Sequence, residues 1–451
     1  MSDNSKVLGV VVIARHGDRQ GFYQDPNTYT ASSTVITPLG EVQEFRLGQL
    51  IRSHYLNSSS PLFISGVNSS VPDQTQILAR ADAGGEGGVI VNSAMALLQG
   101  LFPANPNATT TLANGTTVSA PLNGYQYLPI ESVEPDNDVS LEGWTQCAAF
   151  DQSTQNFYQS AVFQQKKAES ASFLSQLPRY LDGRNATLEN MWNIFDFMNV
   201  EDIHDSSFAQ NLPENFLEQA RDLANFHEYG VFSDPDLAGI GNIAFRTTLP
   251  SVLNGLNSIQ NSSQPLKLVY EAVSYKPFLS MFNMTGAAAM NPQLAGVVNY
   301  AAAVILEVLQ PSDSSSEPVI RFKFKNGTDD PDFKTYNFMN STQDVALSTF
   351  VNYMAPAAIN STSEWCTICG NTQNRGCGAI SAAAANARAA AAVHQPISPV
   401  GAGFLGAGLT IFVALCMLGI LFFLGILTVG RGKSRRNRKS GSESDSIERK
   451  A

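Results

Sequence analysis

The chain has 451 residues and a formal net charge of −11. Its length suits two domains, or one large domain with a sizeable core. Lys and Arg form a dense run only in the last 22 residues. The sequence therefore argues against a nucleic-acid-binding protein, which needs a basic face on its folded domain.

The first predicted element is a strand over residues 7–13, an uncharged run that is apolar apart from one glycine and mostly β-branched. Such a run is typical of a strand buried on both faces. Arg15, His16, Gly17 and Arg19 follow it, and would lie at the carboxyl edge of a sheet, where open α/β proteins bind ligands. Guanidinium groups match phosphate oxygens, and an imidazole between them can attack phosphorus. The alternative is a solvated Arg-His-Arg loop; the buried strand before it favours a site.

Residues 15–19, Arg-His-Gly-Asp-Arg, resemble the signature of the histidine acid phosphatases. The resemblance continues through residues 37–43, 47–55 and 93–103. It is specific up to residue 103 and only architectural from there to about residue 345.

This resemblance implies an α/β fold of the histidine phosphatase (phosphoglycerate mutase-like) type. A central mixed sheet is flanked by helices, and a helical cap is inserted near residues 140–235. It also implies a phosphohistidine at His16, with Arg15 and Arg19 as phosphate ligands. The expected ligand is a phosphomonoester or phosphate, and no metal or organic cofactor is expected.

Two positions depart from the family pattern. Val89 stands where the family has a third phosphate-binding Arg, and Arg80 is a candidate substitute. The His-Asp pair that ends a later strand, and supplies the proton donor, is replaced by Ser274-Tyr275 or, one residue earlier, by Val273-Ser274. Glu271 is the nearest carboxylate and a candidate acid, with a structural role as its alternative.

Three functions therefore stay open. The first is a membrane-anchored acid phosphatase, weakened by loss of the general acid or using Glu271 and Arg80 instead. The second is a catalytically inactive pseudophosphatase that binds phosphate or a phosphoprotein at the membrane. The third, a structural glycoprotein, leaves the intact Arg-His-Gly-x-Arg stretch unexplained.

Other patterns predict the surrounding elements. Thr37 is a candidate N-cap for a helix from Pro38, and residues 266–273 and 317–325 read as strands, the second half-buried. His204 and Asp205 form a tempting catalytic pair, but no buried strand precedes them, so a loop is expected there.

Cysteines and glycosylation sequons point to an oxidising compartment. Four cysteines are disulfide candidates, with three possible pairings, and zinc is the less favoured alternative: Cys147, Cys366, Cys369 and Cys377. Ten Asn-x-Ser/Thr sequons precede the apolar C-terminal segment: Asn57, Asn68, Asn107, Asn114, Asn185, Asn261, Asn283, Asn326, Asn340 and Asn360.

The predicted domains are a phosphatase-like domain at 5–365, a Cys cluster and Ala-rich stalk at 366–402, a transmembrane helix at 403–430 and a basic tail at 431–451. The apolar segment is long enough to span a bilayer, and the basic tail predicts a single-pass protein with a cytoplasmic C-terminus that attracts anionic lipid. The sequons favour an extracellular or lumenal ectodomain. No signal-peptide pattern precedes the first strand, so either the sequence begins after one or the domain faces the cytosol.

Overall fold

The structure is a computed structural model that describes residues 5–21, 34–85, 87–313, 315–393, 399–424 and 426. The chain divides into two compact units, Met1–Ala382 and Ala383–Ala451. The first unit is a mixed α/β domain, as predicted.

Its centre is a mixed sheet with the strand order β11-β10-β9-β1-β8-β4-β7, with β12 paired to β10. The strands in the described residues are β1 (Lys6–Arg15), β2 (Arg19–Gln20), β3 (Val35–Ile36), β4 (Ile77–Asp82), β5 (Thr109–Thr111), β6 (Thr117–Ser119), β7 (Glu131–Val133), β8 (Leu268–Val273), β9 (Ala303–Gln310), β10 (Val319–Lys325), β11 (Lys334–Thr335) and β12 (Val345–Ala346).

The first predicted strand, β1, lies in the middle of this sheet. It pairs parallel with β8, Arg15 opposite Val273, and antiparallel with β9. Val11 and Ile13 face one apolar core, while Val10 and Val12 face the other. Burial on both faces explains why β1 is apolar throughout rather than alternating. The predicted strand at 317–325 is β10, whose alternating burial confirms that it is half-buried.

Helices cover both faces of the sheet. The helices in the described residues of both units are α1 (Pro38–Tyr55), α2 (Gly87–Leu101), α3 (Pro121–Gly124), α4 (Ala148–Gln159), α5 (Ala161–Leu174), α6 (Met191–His204), α7 (Ser206–Asn211), α8 (Phe216–Val231), α9 (Ile243–Gln260), α10 (Lys276–Met284), α11 (Ala287–Met290), α12 (Leu347–Met354), α13 (Thr362–Cys369), α14 (Cys377–Val393) and α15 (Pro399–Phe423). Thr37 caps α1 by accepting the Gly40 amide, as expected.

The close packing of α1 against α2 explains why residues 48 and 100 are glycines. A Cβ on Gly48 would lie 2.0 Å from the Leu97 carbonyl oxygen, and one on Gly100 would lie 2.0 Å from that of Phe45. The two helices therefore cross with their backbones in contact, which only glycine permits.

Helices α4 to α8 occupy the region predicted as a cap. One disulfide joins Cys147, before α4, to Cys369 in α13, and the other joins Cys366 to Cys377. The Cys cluster is thus tied to the compact domain, whose boundary lies at residue 382 rather than at the expected 365.

Eight of the ten sequon asparagines are exposed, whereas Asn283 and Asn326 are half-buried. The side-chain amide of Asn283, the nitrogen that would carry a glycan, donates to the Asp234 carbonyl at 2.7 Å and to Asn242 Oδ1 at 2.9 Å. A glycan would replace one of the two amide hydrogens and so remove one of these bonds. The structure therefore disfavours modification of Asn283, and the other sequons stay predictions.

The second unit contains most of α14, the Ala-rich segment, and α15. Helix α15 begins at Pro399, within the stretch 366–402 that was predicted as the Cys cluster and stalk. Within α15, Gly403–Phe423 has a mean hydropathy of 2.4 and is long and apolar enough to cross a membrane. The end of the predicted span, 427–430, and the basic tail at 431–451 lie outside the described residues.

Candidate active site

The Arg-His-Gly-x-Arg loop lies at the carboxyl edge of β1 and is held from several sides. The His16 amide donates to the Val273 carbonyl at the end of β8, and the His16 carbonyl accepts the Ala301 amide at 3.0 Å. The Gly17 amide donates to Ser93 Oγ at 3.0 Å. A Cβ on Gly17 would lie 2.5 Å from the Gly40 carbonyl oxygen, so this glycine permits close contact with α1.

The ring of His16 is 1% exposed, and its Nδ1 lies 2.8 Å from the Gly17 carbonyl oxygen. A carbonyl can only accept, so Nδ1 carries the proton and Nε2 carries the lone pair. This tautomer, which we assign from the contact, makes Nε2 the nucleophilic atom.

A cavity of about 230 Å³ opens beside this loop. Its charged lining residues are Arg15, Arg19, Arg221, Lys276, Asp196 and Asp329, and its aromatic ones are Trp192, Phe195, Tyr275 and Tyr300. Cations outnumber carboxylates among these described residues, although the chain as a whole is acidic. The lining therefore suits an anion with a small apolar or aromatic portion.

The two arginines of the motif are both buried and oriented by neighbours. Arg15 donates to the Val298 carbonyl, and its Cζ lies 4.5 Å from the ring centre of Tyr300 and 5.2 Å from that of Tyr275. Arg19 Nη2 lies 2.9 Å from Asp196 Oδ1 on α6. Stacking and ion pairing fix both guanidinium groups at the cavity before any ligand arrives.

A third guanidinium enters from the cap, on Arg221 of α8. Its Nη2 donates to the Val297 carbonyl at 3.0 Å and to Asn299 Oδ1. Burial lowers the pKa of Arg221, and the charge of Arg15 lowers it further. The sequence analysis missed this residue because no motif surrounds it; its only signal is one Arg on an amphipathic helix.

Arg80 and Glu271 do not reach the cavity, which corrects their expected roles. On β4 and β8 they are register partners, and Glu271 also pairs with Ile13, two residues before β1 ends. Arg80 binds Glu131 at 3.0 Å, Asp138 at 2.9 Å and Glu271 at 3.6 Å. The pair thus lies within the sheet rather than at its ligand-binding edge.

Glu271 is fully buried beside Arg80. Burial raises the pKa of Glu271 to about 7, against the charge of Arg80, which lowers it. Arg80 lines a separate cavity of about 440 Å³, which contains neither Arg15 nor Arg19. Both residues therefore form a structural ion-pair cluster.

The carboxyl end of β8 carries Ser274 and Tyr275. Tyr275 lines the cavity, and its hydroxyl donates to Glu228 Oε2 at 2.6 Å. Val89, at the position of the family's third Arg, is fully buried in the core on the α1 side of the sheet. Neither position presents a carboxylate or a guanidinium to the cavity.

His204 is not in a loop, contrary to expectation, and Asp205 is the single non-helical residue between α6 and α7. His204 ends α6, where its Nε2 lies 2.9 Å from Asp18 Oδ2 of the motif loop, and Asp205 caps α7. Asp18 Oδ2 also accepts from Thr37 Oγ1 at 2.5 Å. His204 thus contacts the motif loop from the last turn of α6, across 186 residues of sequence, which no local pattern indicates.

Comparison with known proteins agrees with this fold. The sequence profile of the histidine phosphatase superfamily (branch 2) matches residues 20–325, directly after Arg19. The chain is 24% identical to lysosomal acid phosphatase of Rattus norvegicus over 280 residues, 58% of this chain and 59% of that protein. It is 24% identical to prostatic acid phosphatase of Bos taurus over 275 residues, 58% of this chain and 64% of that protein. The chain thus spans about three fifths of the length of these relatives.

Solved structures of other proteins share the fold of this chain. The phytase of Citrobacter braakii has a TM-score of 0.56 at 13% identity and covers 80% of this chain and 99% of its own. Hafnia alvei phytase in complex with tartrate has a TM-score of 0.54 at 13% identity, covering 79% and 98%. Because the family profile matches residues 20–325, more than half of the chain, the chain belongs to the histidine phosphatase superfamily (branch 2).

Proposed function

We propose that this protein hydrolyses phosphomonoesters through a phosphohistidine at His16. One observation carries the proposal: Arg15, Arg19 and Arg221 converge from two parts of the fold on one cavity. Tyr300 also lines this cavity, and its ring centre lies 5.6 Å from that of His16. Three guanidinium groups can bind the phosphoryl oxygens and stabilise their charge in the transition state.

In this mechanism Nε2 of His16 attacks phosphorus while the alkoxide or phenoxide leaves. The proton on Nδ1 stays in place, and the Gly17 carbonyl stabilises the positive charge that develops on the ring. Water then attacks the phosphohistidine, which releases phosphate and restores the neutral imidazole. Arg221 takes the part of the third phosphate ligand that the sequence analysis assigned to Arg80.

The size of the cavity suggests the class of substrate. Sites for drug-sized ligands are typically about 300–1,000 Å³, and this cavity holds about 230 Å³. A small monoester with one phosphate fits this space better than phytate does.

The second candidate is a pseudophosphatase that binds phosphate or a phosphoprotein without turnover. The end of β8 favours it, because β8 is followed by Ser274 and Tyr275, and neither side chain is a carboxylate that could protonate a leaving group. General acid assistance is typically worth about 10²–10⁴-fold in rate, so its loss alone leaves slow turnover of esters with good leaving groups.

We also propose a single-pass anchor at α15, with the phosphatase domain on the lumenal or extracellular side. The two disulfides, the exposed sequons and the apolar span support this placement, as does the name of the rat relative, lysosomal acid phosphatase. The cytoplasmic basic tail and its attraction to anionic lipid stay predictions.

The test is phosphate release by the full chain in detergent from pH 3 to 7, with 4-nitrophenyl phosphate and phytate as substrates. His16→Ala is the active-site variant, and His54→Ala is its matched control, because His54 is a surface residue paired with Asp332. We expect turnover of the aryl ester that His16→Ala abolishes and His54→Ala retains. If wild-type turnover does not exceed that of His16→Ala while inorganic phosphate still raises the Tm of the wild type, the proposal of an enzyme is wrong and the pseudophosphatase is supported.

A further inference from the structure

Tyr300 lies at the centre of the candidate site, just before β9. Its ring centre is 5.6 Å from that of His16, 4.5 Å from Arg15 Cζ and 5.9 Å from Arg19 Cζ. The residue is 8% exposed and lines the cavity. It therefore contacts the ring that would be phosphorylated and stacks near both motif arginines.

The hydroxyl of Tyr300 is buried and has no hydrogen-bond partner among the residues that the structure describes. Buried polar groups are nearly always bonded, because leaving one unbonded is costly. Tyr275, the other tyrosine stacked on Arg15, has its hydroxyl engaged by Glu228. The contrast indicates that the hydroxyl of Tyr300 is kept for a ligand.

The backbone next to Tyr300 also indicates that this residue occupies a functional position. Ala301 has a φ of +54°, a left-handed conformation that is unfavourable for alanine, and is buried. Its amide donates to the His16 carbonyl at 3.0 Å. Strained residues of this kind concentrate at functional sites, and here the strained residue holds Tyr300 against the nucleophile loop.

We propose that Tyr300 is the proton donor to the leaving group, in place of the carboxylate that the end of β8 lacks. The proposal rests on the phosphatase function above. As the P–O bond to the leaving group breaks and the bond from phosphorus to His16 Nε2 forms, the Tyr300 hydroxyl gives its proton to the departing oxygen. The alcohol leaves and a phenolate stays beside Arg15 and Arg19.

The second step returns the proton. A water molecule attacks the phosphohistidine, the phenolate of Tyr300 takes a proton from that water, and phosphate leaves with the remaining oxygen. The sum is ester plus water giving alcohol plus phosphate, with His16 and Tyr300 restored.

The surroundings of Tyr300 suit both steps. Burial raises the pKa of Tyr300, the positive charges of Arg19 and Arg15 lower it, and the carboxylates of Asp196 and Asp18 raise it. The hydroxyl therefore stays protonated across the acid and neutral range, and the two guanidinium groups stabilise the phenolate when it forms. A carboxylic acid donor would instead lose its proton near pH 4–5.

The experiment compares leaving groups in the full chain. Tyr300→Phe keeps the ring and removes only the hydroxyl; Tyr229→Phe is the matched control, since the Tyr229 hydroxyl bonds Asn283 away from the cavity. The substrates are benzyl phosphate, whose alkoxide leaves poorly, and 4-nitrophenyl phosphate, whose phenoxide needs little protonation. We expect Tyr300→Phe to lower kcat for benzyl phosphate about 10²–10⁴-fold, and for the aryl ester less than tenfold.

Two further readouts separate a donor from a structural residue. Wild-type kcat for benzyl phosphate should show no loss between pH 5 and 8 from deprotonation of the donor, and the Tm of Tyr300→Phe should stay near that of wild type. An equal loss with both substrates, or none, would overturn the role of Tyr300 while leaving the phosphatase intact. Aryl turnover that depends on His16, without benzyl turnover, would also overturn it. Absence of all turnover would refute the proposed function and the donor with it.

Discussion

Replacing Arg221 is the most direct test of the phosphate-binding site, because this residue comes from the cap and no family motif marks it. Arg221→Met keeps a long apolar stem against Phe195, whose ring centre lies 5.6 Å from the guanidinium carbon, and removes only the charge and its donors. The contacts that hold Arg221 both use Nη2, so the donors on Nη1 and Nε are not needed to anchor it.

The expected effect follows from the bonds that a guanidinium makes to an anion. A hydrogen bond to a charged group contributes about 1.5–3 kcal/mol, and each 1.4 kcal/mol is tenfold in affinity, so the Ki of inorganic phosphate should rise about 10- to 140-fold. Arg221→Lys, which keeps a point charge without the planar fork, should recover part of this loss.

The assay is competitive inhibition of 4-nitrophenyl phosphate hydrolysis by phosphate. Calorimetric titration with phosphate gives the same constant if turnover is slow. The matched control is Arg179→Met, which removes an exposed cap arginine that does not line the cavity. A Ki for folded Arg221→Met within threefold of wild type would refute the assignment of Arg221 as a phosphate ligand.

Three other predictions concern stability and modification. Folding raises the pKa of Glu271 from 4.5 to about 7, so the folded state binds this proton more tightly than the unfolded state does. The protein therefore loses stability as pH rises from about 4.5 to 7. Between pH 4.5 and 7.5 the Tm of Glu271→Gln should fall less than that of wild type, and an equal fall would contradict the prediction. Replacing both Cys147 and Cys369 by Ala opens a loop of 222 residues. In the chain-entropy model this should lower the free energy of unfolding by about 5 kcal/mol, measured by denaturant unfolding. A decrease of less than about 1 kcal/mol would contradict the prediction. Glycopeptide mapping of the protein from a secretory host should find Asn283 unmodified, and an occupied Asn283 would show that its side-chain amide does not donate to both Asp234 and Asn242.

Local patterns were sufficient for the elements that meet the nucleophile. The apolar run before Arg15 could only be a strand buried on both faces, and Thr37 followed by a proline marks a helix start; both are confirmed. The Arg-His-Gly-x-Arg order likewise places two cations and an imidazole at one strand end, since the residues are adjacent in the chain.

Roles that depend on long-range pairing were not predictable. Glu271 and Arg80 looked available because each lies near a strand end, yet the register of β4 and β8 pairs them with each other inside the sheet. The pairing of the four cysteines also needed the fold, because Cys147 is 222 residues from its partner.

The sequence by itself determined the central strand, the first helix, the motif loop and the apolar span, because each is encoded in a short stretch by periodicity, capping or composition. Only the tertiary structure decided which residues complete the site. Arg221 and Tyr300 come from a cap helix and from the segment before β9, and sequence periodicity identifies a buried face without showing which distant element packs on it.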